Sequence, residues 1–385
     1  MSSAAASTSP DVVVELQRHM QLITLNRPKK LNALTLEMVD ALERVYRDVA
    51  LDRNVSLAVL RGSGAKAFCA GGDVVTIVNA GKLAKANAKE YRFPTAFFRT
   101  EYIVDHTIAT LNKPHVALID GITMGGGVGV SVHGLFRVAT ERSTFAMPET
   151  AIGLVPDVGG SWFLPRLPVP GLGFYLALTG AKLTGGAALR AAGIATHATS
   201  SEALPQLVSA LGDVRQYASA ADVRAVLDRF DTLPAGEVLS ADVRAKVGDV
   251  FGDAADASFQ QVWQRLLALE ARGDEWAAKT AQTIRRMSPT SVRVTFEQLR
   301  RGAKLAELGD AFEMEFTLVQ HALRGNDFYE GVRALLVDAD QKPVWKPATL
   351  DDVTDAAIDK YFVPRDDFEQ LRLPRKLTPA PRAAL

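Results

Sequence analysis

The clearest indication of the architecture of this 385-residue chain is the run Val116-Ala-Leu-Ile-Asp-Gly-Ile-Thr-Met-Gly-Gly-Gly-Val-Gly129. Its four apolar residues before the glycines predict a short buried strand, and the glycines predict a tight turn. A helix that begins at Gly126 would leave the backbone N–H groups of its first turn unpaired. The run therefore indicates a strand, a glycine turn and a helix in succession, as in a layered α/β domain.

The same alternation extends toward the N-terminus and a short way toward the C-terminus. Further strands are predicted over residues 12–16, 21–25, 55–60 and 137–140. Apolar positions spaced by three and four predict a helix over residues 35–51, with Thr35 as its N-cap. Helical character returns from about residue 86 to 111, with a split or kink at Pro94.

Beyond about Trp162 the strand signal fades and amphipathic helices dominate. The helices predicted there lie at residues 171–180, 185–192, 201–211, 257–286 and about 291–323. We therefore divide the chain into a disordered Ala/Ser-rich tail over residues 1–10, an α/β core over residues 11–200 and a helical region over residues 201–385.

Composition excludes several classes of function. Lys and Arg together number 44, as do Asp and Glu, so the chain lacks the basic excess of a nucleic-acid-binding protein. No apolar run reaches the ~18 residues that span a bilayer. The single cysteine, Cys69, is consistent with a reducing compartment. The first seventeen residues contain no Lys or Arg, so an import signal is weak and the compartment stays open.

A second glycine turn follows another predicted strand, in the run Lys66-Ala-Phe-Cys-Ala-Gly-Gly-Asp73. One N–H from each of the two turns, converging on a single oxygen, would form an oxyanion hole for an acyl carbonyl. Glycine runs also form phosphate loops and simple tight turns, and this alternative stays open. Neither run fits the P-loop pattern, and the dinucleotide-binding pattern fits poorly.

Two acidic residues lie in the apolar run Phe145-Ala-Met-Pro-Glu-Thr-Ala-Ile-Gly-Leu-Val-Pro-Asp-Val-Gly-Gly160. Apolar surroundings raise the pKa of a carboxyl group and suit it to proton transfer or nucleophilic attack. Glu149 and Asp157 are therefore candidate catalytic residues, with helix capping or ion pairing as the structural alternative. His133 and Cys69 fit core positions better than catalytic ones, and the remaining histidines lack metal-ligand spacing, so we predict no metal site.

Four motifs together resemble the crotonase (enoyl-CoA hydratase/isomerase) superfamily. They are Leu25-Asn-Arg-Pro-Lys-Lys-Leu-Asn-Ala-Leu34, Ala67-Phe-Cys-Ala-Gly-Gly-Asp73, Gly121-Ile-Thr-Met-Gly-Gly-Gly127 and Met147-Pro-Glu149. The longer runs through Gly134 and Gly160 resemble the branch of this superfamily that hydrolyses 3-hydroxyisobutyryl-CoA in valine breakdown. This resemblance implies a spiral of β-β-α units with a helical C-terminal region, and it extends over nearly the whole chain after the tail.

The resemblance also implies roles for individual residues. It implies oxyanion N–H groups at Gly72 and Gly126 and catalytic carboxyls at Glu149 and Asp157. It further implies a substrate contact at Glu101 and coenzyme A contacts at Lys29, Lys30, Leu31, Lys66 and Ala70. Gly129 stands where hydratases carry their first glutamate, which weakens a hydratase interpretation because hydration of a double bond uses two carboxylates around one water.

The expected function is thioester hydrolysis of 3-hydroxyisobutyryl-CoA, with 3-hydroxypropionyl-CoA as a second substrate. The alternatives are an enoyl-CoA hydratase or isomerase and a non-catalytic acyl-CoA-binding protein. Coenzyme A belongs to the substrate, so no separate cofactor is expected. The resemblance further implies self-association and a mitochondrial matrix location, with the cytoplasm as the alternative.

Overall fold

The structure is a computed structural model that describes residues 10–86, 92–234 and 236–374. The predicted disordered tail lies outside these ranges except for Pro10, which is exposed. In the part of the chain that is described, no helix is both long enough and apolar enough to cross a membrane.

Ten strands form two sheets within the described residues. Their bounds are β1 Val12–Gln17, β2 Met20–Leu25, β3 Leu57–Gly62, β4 Ala67–Cys69, β5 His115–Ile119, β6 Ile122–Met124, β7 Phe136–Ala139, β8 Thr144–Ala146, β9 Leu183–Thr184 and β10 His197–Ala198. The strands predicted from the sequence correspond to β1, β2, β3, β5 and β7. The very short strands β4, β6 and β8 were not predicted.

The larger sheet has the order β1-β2-β3-β5-β7-β10, and all neighbours in it are parallel except β1 and β2. The smaller sheet has the order β4-β6-β8-β9, with β4, β6 and β8 parallel. Successive strands alternate between the sheets: β3, β5 and β7 lie in the larger one, and β4, β6 and β8 follow them in the smaller one. This alternation is the predicted spiral of β-β units with intervening helices.

Helices make up most of the remaining described chain. Their bounds are α1 Leu36–Leu51, α2 Val74–Ala86, α3 Arg92–Thr110, α4 Gly126–Val132, α5 Gly160–Phe163, α6 Leu172–Thr179, α7 Gly186–Ala191, α8 Leu204–Gly212, α9 Ala220–Asp228, α10 Ala241–Phe251, α11 Phe259–Ala271, α12 Glu275–Arg286, α13 Pro289–Gly302, α14 Leu308–Arg324, α15 Asp327–Val332 and α16 Asp355–Tyr361. A π-helical turn, Arg333–Val337, follows α15.

The N-terminal cap of α1 is confirmed, because the Thr35 hydroxyl accepts a hydrogen bond from Met38 N at 3.3 Å. The predicted helix over residues 257–286 is wrong as one element. It is two helices, α11 and α12, because Gly273 between them adopts a left-handed conformation with φ of 84°. The segment predicted over residues 291–323 is likewise two helices, α13 and α14. Helix α2 was not predicted, since its β-branched residues and Gly81 obscure the helical pattern.

Apolar packing joins the helical region to the sheets. One continuous cluster of buried residues extends from Val12 in β1 to Leu371 near the C-terminal end of the described chain. A second cluster covers the other face of the larger sheet with α8 and α9. The boundary predicted at residue 200 stays a prediction, and the core continues across it.

Candidate active site

The smaller sheet brings three functional segments together. Because β4, β6 and β8 are adjacent and parallel, their carboxyl ends lie at one edge of the sheet. Gly72 follows the end of β4, Gly126 follows the end of β6, and Glu149 follows the end of β8. Loops at the carboxyl ends of parallel strands are the usual location of ligand sites in α/β folds.

A cavity of about 290 Å³ lies at this edge. Its polar wall contains Gly72, Gly126, Glu101, Glu149 and Asp157, which are all of the predicted catalytic and substrate-binding residues. Its apolar wall contains Val74, Ile77, Phe97, Phe98, Leu335 and Leu336. The two leucines belong to the π-helical turn, so the C-terminal region supplies part of the wall of a cavity whose first lining residue in the chain is Ala70.

The backbone N–H groups of Gly72 and Gly126 are available to a ligand. The segment around Gly72 pairs with Leu34 through two hydrogen bonds, from Leu34 N to Gly71 O and from Asp73 N to Leu34 O, both 2.8 Å. The N–H group of Gly72 takes part in neither bond. Among the described residues, no acceptor bonds to Gly72 N or Gly126 N. The two turns touch, since a Cβ atom on Gly71 would lie 3.8 Å from Gly126 N. This geometry agrees with the predicted oxyanion hole.

Glu149 and Glu101 approach the glycine turns from two other elements. Glu149 begins the short 3₁₀ turn Glu149–Ile152, and its Oε1 would lie 3.3 Å from a Cβ atom on Gly125. Glu101 lies on α3, and its Oε1 would lie 2.1 Å from a Cβ atom on Gly126. Both side chains are buried, and each has one oxygen without a hydrogen-bond partner among the described residues. Glu101 therefore faces the cavity and not bulk water.

Asp157 is buried as well, but it has a specific partner. The Tyr102 hydroxyl donates a hydrogen bond of 2.7 Å to Asp157 Oδ2. Tyr102 is next to Glu101 on α3, so one helix supplies both a carboxyl group of the cavity and the donor that orients another. The sequence analysis missed this role, because Tyr102 and Asp157 are 55 residues apart in the chain and no local pattern relates them.

The loop that contains Asp157 has a rare backbone conformation. Val158 has φ of 52°, which is strained for a β-branched residue. Three surrounding side chains hold the loop in place. Gln298 donates to Pro156 O at 2.6 Å, the His133 ring nitrogen bonds to Val158 O at 2.7 Å, and Glu315 accepts from Gly159 N at 2.7 Å and Ser161 N at 2.8 Å. Strained loops that are held by many contacts are typical of functional sites.

Burial dominates the electrostatics of the three cavity carboxyls. It raises the pKa values of Glu149 and Glu101 well above the ordinary value, and the charge of Asp157 raises both further. Burial also raises the pKa of Asp157, but the Tyr102 hydrogen bond counteracts it, and the result is about 6. Asp157 therefore has a hydrogen bond that favours its ionised form, whereas burial favours the neutral forms of Glu149 and Glu101.

Of the residues predicted to bind coenzyme A, some lie at the cavity and others lie at the protein surface. Ala70 lines the cavity, and its N–H donates a 3.0 Å bond to Leu31 O. This bond places the turn with Lys29 and Lys30 beside the cavity, while both lysines and Lys66 are exposed and do not line it. Their contact with coenzyme A phosphates stays a prediction.

Cys69 and His133 are structural, as the sequence suggested. Cys69 is buried, and burial raises the pKa of its thiol to about 12. His133 bonds to the Asp157 loop, and burial lowers its pKa to about 4. In the described ranges, no group of three or more His, Cys, Asp or Glu side chains is arranged to hold a metal ion.

Comparison with known proteins yields one family and one fold. A family model described as enoyl-CoA hydratase/isomerase matches residues 20–362. A Gallus gallus protein named 3-hydroxyisobutyryl-CoA hydrolase, mitochondrial, is 44% identical over 361 residues, which are 93% of this chain and 90% of the relative. A Xenopus laevis protein of the same name is 46% identical over 348 residues, 89% and 86% of the two chains. The crystal structure of a carnitinyl-CoA dehydratase from Mycobacterium thermoresistibile has a TM-score of 0.82 at 35% identity, covering 94% of this chain and 99% of that one.

Proposed function

Because the chain belongs to the enoyl-CoA hydratase/isomerase family, we propose that it hydrolyses the thioester of 3-hydroxyisobutyryl-CoA. The products are 3-hydroxyisobutyrate and free coenzyme A, and 3-hydroxypropionyl-CoA is a second substrate. The name and coverage of the 44–46% identical relatives support this function. The structural observation that supports it most is the meeting of two unpaired N–H groups with Glu149 and Asp157 in one cavity.

In this proposal the residues that line the cavity give each part of the substrate its own position. The thioester oxygen accepts hydrogen bonds from Gly72 N and Gly126 N, which polarise the carbonyl and stabilise the negative charge that develops on attack. The acyl chain lies against Phe97 and Phe98, and its hydroxyl group bonds to Glu101. A substrate of this size and polarity matches a cavity with an apolar wall and a few polar groups.

Two reaction routes are compatible with the raised pKa of Glu149 and with a pKa of about 6 for Asp157. In the first, Asp157 accepts the Glu149 proton, Glu149 attacks the carbonyl carbon, the C–S bond breaks, and the leaving thiolate takes that proton from Asp157. Water then cleaves the resulting anhydride and regenerates Glu149. In the second, Asp157 removes a proton from a water molecule that attacks the carbonyl carbon, and Glu149 gives its proton to the departing thiolate. Both routes need Asp157 ionised at the start and Glu149 beside the carbonyl.

A second candidate is an enoyl-CoA hydratase, which the likeness to the dehydratase structure favours. Hydration would need a carboxylate near position 129, and the chain has Gly129 there. A Cβ atom on Gly129 would lie 2.4 Å from Asp105 Oδ2, so the space for a side chain is already occupied. Asp105 is not among the residues that line the cavity, so it does not replace the missing carboxylate, and this argues against hydration as the main reaction.

The decisive experiment is a free-thiol assay with 3-hydroxyisobutyryl-, 3-hydroxypropionyl-, acetyl- and crotonyl-CoA. We expect fast thiol release from the two hydroxyacyl esters only. Glu149→Gln keeps the shape of the side chain but removes both nucleophile and proton, so thiol release should fall by roughly 10³-fold or more. Near-normal turnover by this variant would disprove the role of Glu149.

The same assay separates the alternatives. A hydratase would consume the enoyl absorbance of crotonyl-CoA without releasing thiol. A non-catalytic binding protein would bind all four esters, measured by calorimetry, and release thiol from none. Circular dichroism of Glu149→Gln is the folding control.

We further propose a mitochondrial matrix location, supported by the word mitochondrial in the names of the relatives. A fluorescent fusion in the native cell tests it, and a cytoplasmic signal would contradict it. Self-association also stays a prediction, and light scattering of the purified protein measures it.

A further inference from the structure

The π-helical turn Arg333–Val337 supplies part of the apolar wall of the cavity. Its residues Leu335 and Leu336 line the cavity, whereas its last residue, Val337, does not. Leu335 is partly buried and Leu336 is 52% exposed, so the turn lies where the cavity meets the protein surface. π-Helical turns are rare and are frequently found at functional sites. The two leucines are therefore candidates for substrate contacts.

Helix α15, which leads into this turn, packs between two elements of the cavity. A Cβ atom on Gly331 of α15 would lie 2.4 Å from the backbone carbonyl carbon of Ile152, so the helix touches the 3₁₀ turn that begins at Glu149. A Cβ atom on Gly81 of α2 would lie 2.3 Å from the hydroxyl oxygen of Tyr329, which is also on α15. Contacts this close leave no space for α15 to move toward either element. The turn at its end therefore has a fixed position relative to Glu149.

Arg333, the first residue of the turn, connects the segments on its two sides. Its guanidinium group donates to both carboxylate oxygens of Glu330, at 2.9 and 2.8 Å, and to Asp338 Oδ2 and Asp340 Oδ2, at 2.7 Å each. Hydrogen bonds between charged groups are shorter and stronger than neutral ones. Because Glu330 precedes the turn and the two aspartates follow it, these bonds hold its two ends together. Leu335 is thus part of a fixed wall.

The apolar part of the cavity is the space that remains for the acyl group. In the proposed reaction the thioester oxygen lies at the glycine N–H groups, and the coenzyme A arm leaves the cavity past Ala70. The remaining lining is apolar and includes Ile77, Phe97, Phe98 and Leu335. A cavity of about 290 Å³ is at the small end of the range for ligand pockets, so the size of these side chains limits what can enter.

We propose that Leu335 is a specificity-determining residue that sets the upper size limit of the acyl group. The limit admits the 3-hydroxyisobutyryl group and excludes 3-hydroxyacyl groups with a longer chain. Pressing further carbon atoms against a fixed wall is unfavourable, whereas shortening Leu335 leaves a space that they can fill. This inference rests on the proposed hydrolysis of hydroxyacyl thioesters and adds the range of acyl groups that the site accepts.

The test measures kcat/KM by thiol release from 3-hydroxyisobutyryl-CoA and from 3-hydroxyhexanoyl-CoA, which has its hydroxyl group at the same position and a longer chain. The proteins are the wild type, Leu335→Ala and the control Val337→Ala, which shortens an exposed residue of the same turn outside the cavity lining. The wild type and the control should prefer the shorter ester to the same degree. In Leu335→Ala this preference should fall roughly tenfold, because the longer chain gains space and the shorter one loses contacts.

Three results would overturn the inference. They are a wild type that hydrolyses both esters equally well, an equal change of kcat/KM for both esters in Leu335→Ala, as a contact with the coenzyme A arm would give, and the same shift of preference in Val337→Ala. If circular dichroism shows that Leu335→Ala does not fold, Leu335→Val replaces it and should shift the preference in the same direction by a smaller factor. If the wild type releases thiol from neither ester, the proposed function fails. The ratio of the two Kd values, measured by calorimetry, then tests the size limit, and an equal ratio in the wild type and Leu335→Ala would overturn it.

Discussion

Tyr102 distinguishes Asp157 from the other carboxyls of the cavity. All three carboxyls are buried, and burial raises the pKa of each of them. The hydroxyl group of Tyr102, 2.7 Å from Asp157 Oδ2, stabilises the ionised form of that residue alone. The site therefore has one carboxyl with a hydroxyl donor that lowers its pKa and, among the described residues, two without a side-chain donor, a division that suits acid–base catalysis.

This division predicts a shift of the pH dependence in Tyr102→Phe. The wild-type kcat/KM should fall as the pH drops below about 6, because Asp157 becomes protonated. The hydrogen bond from Tyr102 lowers the pKa of Asp157, so its loss should raise that pKa and move the acidic limb to higher pH. Thiol release measured between about pH 5 and 8 checks this. An acidic limb at the same pH in both proteins would contradict it.

Helix α14 connects the C-terminal region to the chemistry through Glu315. This buried residue accepts hydrogen bonds from Gly159 N, Ser161 N and the Ser161 hydroxyl, and thereby holds the strained loop that contains Asp157. No local pattern in the sequence singles out Glu315. Its role depends on how α14 packs against residues more than 150 positions earlier in the chain.

Glu315→Ala should therefore reduce both stability and activity. It leaves two buried backbone N–H groups without acceptors, so the free energy of unfolding should fall by roughly 2–4 kcal/mol. It also releases the Asp157 loop, so kcat should fall even where the protein is fully folded. Urea unfolding and the thiol assay measure the two effects. The control is Glu313→Ala, an exposed glutamate on the same helix, and an equal effect in both variants would contradict the prediction.

At the scale of the whole molecule, the core has no visible interruption at residue 200. One apolar cluster joins residues from Val12 to Leu371, and the cavity takes walls from both ends of the chain. A division into a core and a separate helical region would place Leu335 and Leu336 in one unit and the catalytic carboxyls in the other. The cavity is complete only when both are folded.

We therefore expect a single cooperative unfolding transition. The four tryptophans, Trp162, Trp263, Trp276 and Trp345, all follow residue 160, whereas far-UV circular dichroism reports on the whole chain. Urea unfolding followed by the two signals should give coincident curves, as expected for one cooperative unit. Two separate midpoints would instead support an independent helical region.

The sequence by itself determined the turns, the helix cap and the apolar surroundings that depend on residues close together in the chain. The glycine turns at Gly72 and Gly126, the helix capped at Thr35 and the two acids of the run 145–160 were all identified before the structure. Each of these features depends on a backbone conformation or an apolar environment that can be predicted from the residue types of a short segment. The family resemblance then related them to one reaction, which the relatives support.

The tertiary structure alone decided which side chains face one another. Tyr102 and Glu315 have ordinary local surroundings in the sequence, and only the packing of α3 and α14 brings them to Asp157 and to the loop that contains it. The sequence analysis also treated α11 and α12 as one helix and α13 and α14 as another, and the structure placed the breaks between them. The directions of the pKa shifts of the acids could be obtained only from the structure, since a pKa depends on burial and on charges that are distant in the chain.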